Sequence, residues 1–274
     1  MFGKAFIDFY NTDEKLFETG FVGLDACLSG VTKGSIVTIG ARPAMGKTSF
    51  AVSVCNHLLE TDKKVLFCEI DSSELTAERQ FISVKTKIRQ PIKPTAEKIK
   101  EWEKITQAIQ FYNDKPFELF CKSNMTIEEL EEKIKEEKPE IVFIDSIQCI
   151  KMPKAPNLTE AINLAIKEVK RMALENDLIV VLTSQASRAP EARYDKRPMI
   201  SDLRNGSLLE DLSDVVLMIY RPGYYDRDND DLKNRAEIII CKNKFGELSN
   251  FELKFENGIF SDYSTEDYIK AVFS

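Results

Sequence analysis

Residues 40–48 constrain the fold of this 274-residue chain more than any other feature. They read Gly-Ala-Arg-Pro-Ala-Met-Gly-Lys-Thr and lie between an apolar stretch at 35–40 and a helical pattern at 47–60. A strand that enters such a loop and leaves as a helix directs backbone N–H groups at a bound anion, and the helix dipole favours negative charge there. The segment therefore predicts a binding site for the phosphates of a nucleoside triphosphate.

We expect the whole loop to contribute to this site, through Ala41, Arg42, Pro43, Ala44, Met45, Gly46, Lys47 and Thr48. Gly46 lets the backbone approach closely, Lys47 reaches the β- and γ-phosphates, and the Thr48 hydroxyl ligates Mg²⁺. The general pattern begins with a glycine where this chain has Ala41, and Gly40 comes one position early. An ordinary strand–loop–helix turn is the alternative, but the flanking strand and helix favour the nucleotide site.

Composition limits the classes of partner. The chain has 38 Lys and Arg against 45 Asp and Glu, a formal net charge of −7. Any nucleic-acid contact must therefore come from a local patch or from a ring of subunits that concentrates positive charge at its centre. Six cysteines without a Cys-x-x-Cys pair, and a single histidine, argue against a zinc site. No apolar run could span a bilayer and the first twenty residues do not form a signal peptide, so we expect no membrane contact and a cytoplasmic location.

Apolar stretches of strand length alternate with helical patterns, which predicts an α/β fold around a mostly parallel sheet. The predicted strands are 35–40, 65–70, 141–144, 179–183, 215–220 and 236–241. Alternation at 251–255 followed by Asn257-Gly258 predicts a C-terminal β-hairpin. The predicted helices are 47–60, 76–110 with breaks at Pro91 and Pro94, 126–138, and one capped by Asn157; a mobile loop is predicted at 221–235. We predict one domain, 19–274, preceded by an N-terminal arm, 1–18.

The loop sequence at 41–48 closely resembles the phosphate loop of DnaB-type replicative helicases, which likewise begins with alanine. Further matches to the family follow in order: the entry motif at 19–25, the strand of the catalytic glutamate at 64–71, the magnesium-binding strand with its glutamine at 141–148, the strand ending in a phosphate-sensing glutamine at 182–185, the DNA-facing segment at 196–198 and 201–204, and late strands at 220–221 and 236–240. The resemblance implies the family's C-terminal RecA-like P-loop ATPase domain, which uses ATP and Mg²⁺, standing alone without the N-terminal primase-binding domain.

Carboxylates at two predicted strand ends are candidates for the chemistry. Asp145 ends an apolar strand and can hold Mg²⁺ beside Thr48. Aligned without a gap, the family's catalytic glutamate corresponds to Asp71, whose side chain is one methylene shorter. Glu69 lies two residues earlier, on the same face of an extended strand, and a small shift of register would make it the base. Asp71 is favoured as the catalytic base at this point, and Glu69 remains the alternative.

Three further residues take roles from the resemblance. Gln185 ends a predicted strand and would report the γ-phosphate through a hydrogen bond. The family's Lys-x-Arg pattern appears here as Lys242-Asn243-Lys244, and its cations act on the nucleotide of a neighbouring subunit. Because lysine cannot form the arginine fork, Lys244 in place of arginine predicts slow hydrolysis. Solvated charges at a strand end are the alternative for both lysines.

A cluster of cations corresponds to the family's DNA-facing loop and consists of Arg188, Arg193, Lys196 and Arg197. Cations on a loop suit the phosphates of single-stranded DNA. Lys151 and Lys154 form a second, weaker candidate loop. Plain surface solvation is the alternative for both groups.

Two functions follow from these observations. The first is an ATP-dependent DNA helicase or translocase motor that forms a hexameric ring around single-stranded DNA, hydrolyses ATP at subunit interfaces and meets primase or a helicase loader through another chain. The alternative is a RecA-like regulatory or adaptor subunit that binds ATP with weak or no hydrolysis. Asp71, Lys244 and the acidic net charge favour the alternative.

Overall fold

The computed structural model describes residues 16–89, 98–152, 155–204 and 207–264. Almost all of the predicted N-terminal arm, 1–18, lies outside these residues, and so does Lys154. Among the residues described, no helix has the length and apolar character needed to cross a membrane.

Helices and strands alternate along most of the described chain, except that two helices are consecutive between residues 74 and 114 and that three successive strands come last. The helices are α1 (Val22–Leu28), α2 (Lys47–Glu60), α3 (Glu74–Thr86), α4 (Ile99–Asp114), α5 (Ile127–Glu137), α6 (Leu158–Glu175), α7 (Ser207–Leu212) and α8 (Pro222–Tyr225). The strands are β1 (Ile36–Ala41), β2 (Val65–Glu69), β3 (Phe117–Cys121), β4 (Ile141–Asp145), β5 (Ile179–Gln185), β6 (Val215–Tyr220), β7 (Arg235–Asn243), β8 (Asn250–Glu256) and β9 (Ile259–Ser261). Asn157 caps α6 as predicted, since its Oδ1 accepts the Glu160 N–H at 2.9 Å.

All nine strands form one sheet in the order β3-β2-β4-β5-β1-β6-β7-β8-β9. The first six strands of this order run parallel, and the last three add to them in antiparallel fashion. Asn257 and Gly258 turn the chain between β8 and β9 with φ of 55° and 87°, which suits these two residue types. The predicted α/β class, the mostly parallel sheet and the C-terminal hairpin are confirmed.

Two segments differ from the sequence-based prediction, the strand β3 and the loop at 221–235. The edge strand β3 was not predicted, because its five residues are all half-buried and show no clear alternation. The segment at 76–110 agrees with the prediction of a helical region broken at Pro91 and Pro94, because α3 and α4 lie on either side of these prolines. The predicted loop at 221–235 contains α8 and a 3-10 turn at Asp230–Leu232.

The sheet separates two apolar clusters because successive side chains of a strand point to opposite faces. On β2, Val65 and Phe67 belong to the cluster that includes Phe50 of α2, whereas Leu66 and Cys68 belong to the cluster beneath α5 and α6. The carboxyl ends of the six parallel strands lie along one side of the sheet, which we call the carboxyl edge. The opposite side is the amino edge. Ligands of open α/β sheets bind at the carboxyl edge.

Candidate nucleotide-binding site

The phosphate loop joins the carboxyl end of β1 to the first residue of α2, Lys47. Gly46 precedes this helix with φ of 96°, a left-handed conformation that glycine adopts without strain. A Cβ atom at Gly46 would lie 2.9 Å from the ring of Phe255 and 3.0 Å from that of Phe260. Two constraints therefore require glycine here, the backbone and the packing of the hairpin. The first N–H groups of α2 have no partner within the helix and are free to bind phosphate.

The offset glycine of the loop has a packing explanation. Ala41 is the last residue of β1, is fully buried and extended, and its carbonyl accepts the Ala186 N–H at 2.8 Å, so it needs no glycine. At Gly40, by contrast, a Cβ atom would lie 2.3 Å from Met218 Sδ and 2.6 Å from Leu203 Cδ2. The close approach of neighbouring side chains fixes the glycine one residue before the position that the general pattern gives.

Two buried carboxylates face each other across neighbouring strands at the carboxyl edge. Glu69 ends β2 and Asp145 ends β4, and the two are register partners. They are 3% and 6% exposed. Burial, together with the negative charge of Asp145, raises the pKa of Glu69 to about 7. Asp145 Oδ1 accepts a hydrogen bond from the Thr183 hydroxyl, whereas its Oδ2 is buried with no hydrogen-bond partner.

Burying a carboxylate oxygen without a hydrogen-bond partner costs free energy, and a bound cation would offset this cost. Oxygen ligands from a carboxylate and a hydroxyl are those that Mg²⁺ prefers. Thr48 lies in the first turn of α2 at the same edge as Asp145, two strands away. The donor set therefore fits the Mg²⁺ ion that the sequence predicts.

Asp71 lies beyond the end of β2, and its side chain is exposed. Its N–H turns back to donate to Glu69 Oε1 at 3.2 Å. It lines a polar cavity of about 660 Å³, together with Gln148 and Lys151. Because the strand ends at Glu69, the alternation expected for extended residues does not extend to Asp71. The geometry favours Glu69 as the candidate base, since it is the acid paired in register with Asp145.

The end of β5 lies against the end of β1, where Gln185 pairs with Ala41. Arg204 donates to the Gln185 side chain at 3.4 Å, a hydrogen bond that sequence reasoning missed although the segment at 201–204 matches the family. Arg42 is bound to the residues after β5. Its guanidinium donates twice to Glu191 Oε1, at 3.0 and 2.6 Å, and once to the Ala186 carbonyl at 3.0 Å. The phosphate loop and the segment after β5 are therefore in direct contact.

Arg221 is a further residue of the site without an assigned role in the sequence-based prediction. Its Nη1 donates to the Ala44 carbonyl of the phosphate loop at 3.0 Å, and its guanidinium lies 3.8 Å from the centre of the Phe255 ring. Burial lowers its pKa. The only sequence signal was its place in the Tyr220-Arg221 match to the family. Arg221 therefore connects the phosphate loop to the C-terminal hairpin.

Lys242 and Lys244 lie at the amino edge, away from the phosphate loop of their own subunit. Lys242 Nζ donates to the carbonyls of Glu210 and Asp211 at the end of α7, and Lys244 Nζ contacts Asp214 Oδ1 at 2.6 Å. Asp214 precedes β6, whereas Ile219 of β6 pairs with Ala41. At 3.3 Å per residue, about 17 Å of strand separates the two positions.

The cations of the predicted DNA-facing loop have unequal surroundings. Arg193 pairs with Asp202 at 2.6 Å and Arg197 with Glu237 at 2.7 Å, and both carboxylates are buried. Lys196 Nζ donates to the Glu191 carbonyl at 2.6 Å, which leaves its charge unbalanced. Arg188 is exposed. Two of the four charges are therefore balanced within the domain, and Arg188 and Lys196 remain the better candidates for DNA.

Comparison with known proteins identifies the family. The DnaB-like helicase C-terminal domain model matches residues 17–262. The replicative DNA helicase DnaB of Pasteurella multocida is 33% identical over 263 residues, which are 89% of this chain and 54% of that protein. The DnaB of Buchnera aphidicola subsp. Baizongia pistaciae is 31% identical over 261 residues, 91% of this chain and 56% of that protein. The chain thus spans little more than half the length of these relatives.

Two solved structures share the fold. The ATPase domain of G40P has a TM-score of 0.83 and 30% identity, with 95% of this chain and 96% of that chain covered. A DnaB-like replicative helicase, from a study of its interactions with primase, has the same TM-score and identity over 95% of this chain and 67% of that chain. With the family match extending over most of the sequence, the chain belongs to the DnaB-like helicase C-terminal domain family.

Proposed function

We propose that this domain is the ATP-hydrolysing motor of a replicative DNA helicase and moves along single-stranded DNA. One observation carries the proposal. The phosphate loop and the buried carboxylates lie at the carboxyl edge, whereas Lys242 and Lys244 lie at the amino edge of the same sheet. In this proposal a second copy completes each half, as in a ring. The names of the relatives support a motor and do not favour the regulatory or adaptor alternative.

Within one subunit, each group has a chemical task. Lys47 and the N–H groups of α2 bind the phosphates, and Glu69 accepts a proton from the attacking water. Thr48 and Asp145 would hold Mg²⁺, which when bound neutralises charge on the phosphates. A cation beside Asp145 would also favour ionised Glu69, because it offsets the negative charge that raises the pKa of this residue. Gln185, the register partner of Ala41, would sense the γ-phosphate through a hydrogen bond.

The partners in this proposal are single-stranded DNA and further copies of the chain, six in a closed ring. Primase or a helicase loader would be met through another chain or segment, since a study of one structural neighbour describes interactions with primase. The decisive experiment is steady-state ATP hydrolysis with and without single-stranded DNA, alongside sizing over a range of protein concentrations. We expect the rate per subunit to rise with assembly and with DNA. ATP binding by a monomer without turnover would instead support the regulatory alternative.

We predict that replacing both Arg188 and Lys196 with glutamine weakens single-stranded DNA binding. Fewer counterions are then released, so the slope of log affinity against log salt should flatten by about 0.7 for each phosphate that the protein no longer neutralises. Arg193 and Arg197 are left intact, because removing them would leave the buried carboxylates of Asp202 and Glu237 without their ion-pair partners.

The matched control replaces Lys33 and Lys138 with glutamine. Both are exposed and precede strands at the amino edge, so the double variant has the same net charge change away from the loop. Affinity and salt slope are measured by fluorescence anisotropy with a labelled oligonucleotide. Equal losses of affinity in the two double variants would mean that only net charge matters and that the loop has no specific role.

We predict that Lys244→Ala lowers ATP turnover without weakening nucleotide binding by the monomer, because the lysine acts on a neighbour. The sharper measurement mixes Lys244→Ala subunits with Lys47→Ala subunits. Some junctions of the mixture pair an intact phosphate loop with an intact Lys244, so activity should partly recover. If the mixture is shown to co-assemble and still fails to recover activity, action between subunits is wrong.

A further inference from the structure

Asp214 connects three segments at the amino edge. Its carboxylate is almost buried, with 9% of the side chain exposed. Oδ1 accepts from Lys244 Nζ at 2.6 Å, and Oδ2 accepts from Lys170 Nζ at 2.8 Å and from the Ile36 N–H at 2.9 Å. Burial acts to raise the pKa of Asp214, but the hydrogen bonds from Lys170 and Lys244 hold it below its ordinary value. The carboxylate is therefore ionised and shared between two ammonium groups.

The charge count of this trio matters for Lys244. One carboxylate and two ammonium groups leave a net charge of about +1. Lys170 is held in place by a second bond, from Nζ to the Gly34 carbonyl at 2.9 Å, and it contacts the oxygen that Lys244 does not use. Without Lys170, Asp214 and Lys244 would form a neutral pair with little attraction for a phosphate. With Lys170 present, Lys244 keeps an effective positive charge.

Lys244 is also fixed in direction. Its backbone N–H donates to the Asp214 carbonyl at 3.0 Å, so the residue is bound to Asp214 at both ends of its side chain. Yet 48% of the side chain remains exposed. An ammonium group has three donors, and the contact with Asp214 uses one of them. The others are available to an anion that approaches from outside the subunit.

We propose that Asp214 is a positioning residue that holds the Lys244 ammonium group in place for the nucleotide of the neighbouring subunit, and that Lys170 neutralises Asp214 so that Lys244 retains its charge. The proposal rests on the proposed action of Lys244 between subunits. A lysine side chain is flexible and loses entropy when it is ordered. Ordering it in advance through Asp214 removes that cost from the hydrolytic step.

The test uses the mixed assembly, in which each active junction joins a donor subunit to an acceptor subunit and Asp214→Asn is placed in one or the other. Donor subunits carry Lys47→Ala and supply only the lysine, whereas acceptor subunits carry Lys244→Ala and supply only the phosphate loop. We expect Asp214→Asn in the donor to lower the recovered turnover about tenfold, since the lysine is no longer oriented. Asp214→Asn in the acceptor should leave the recovered turnover unchanged. Asparagine retains an oxygen for the Ile36 N–H, and thermal melting checks that each variant folds.

A second variant tests the charge. Lys170→Gln in the donor should also lower the recovered turnover, because Asp214 then neutralises Lys244. Adding it to Asp214→Asn should cause no further loss, since Lys170 acts through Asp214. An equal loss with Asp214→Asn in donor and acceptor, no loss in either, or a gain in the donor would each overturn the positioning role. If the mixture without substitutions at Asp214 and Lys170 co-assembles but fails to recover activity, the proposed action of Lys244 between subunits is overturned instead.

Discussion

Lys47→Ala should lower ATP turnover by at least about a hundredfold, the effect of removing one hydrogen-bond donor directed at a developing negative charge. The structure strengthens this expectation, because the other cation of the loop cannot substitute. Arg42 is 13% exposed in its side chain and is bound to Glu191 and to the Ala186 carbonyl. Lys47 is therefore the loop cation left for the phosphates.

The matched control for this variant is Lys33→Ala. Lys33 is an exposed lysine just before β1, at the other end of the strand that leads into the phosphate loop. It should leave nucleotide affinity and turnover unchanged. Affinity is measured with a fluorescent ATP analogue and turnover by phosphate release. If Lys47→Ala matches the wild type in both quantities, the assignment of the nucleotide site is wrong.

The second large effect is expected from Glu69→Gln, which should reduce hydrolysis by about 10²- to 10⁴-fold, the usual contribution of a general base. ATP binding should persist, because the substitution is isosteric and removes the repulsion between Glu69 and Asp145. Glutamine also keeps an oxygen to accept the Asp71 N–H. The fold around the end of β2 should therefore be preserved.

Asp71→Asn is the paired variant, and it should change hydrolysis by less than about threefold, because the Asp71 side chain is exposed and is not the acid paired in register with Asp145. Both variants are compared in single-turnover hydrolysis, which separates the chemical step from binding. A large loss in Asp71→Asn with none in Glu69→Gln would restore the choice favoured by the ungapped alignment. No loss in either would mean that the segment following α2 does not carry the base.

Sequence alone determined the elements whose signals are local. The loop at 41–48 lies between a strand and a helix, and alternating apolar patterns follow, so the nucleotide-binding fold was predictable from neighbouring residues. The order of motifs along the chain determined the family. Strand β3 was not predicted, because neither face of this edge strand is completely buried and its five half-buried residues give no periodic signal.

Only the tertiary structure decided which distant residues meet. The register of β2 against β4 places Glu69, and not Asp71, beside Asp145, and no pattern within either segment encodes that register. Ion pairs formed over long sequence separations, such as Arg197 with Glu237, balance charges that the sequence counts as free. The contact of Lys170 with Asp214 is of the same kind. Sequence patterns report each residue's own burial and periodicity, whereas the partner of a charge is fixed by how separate elements pack.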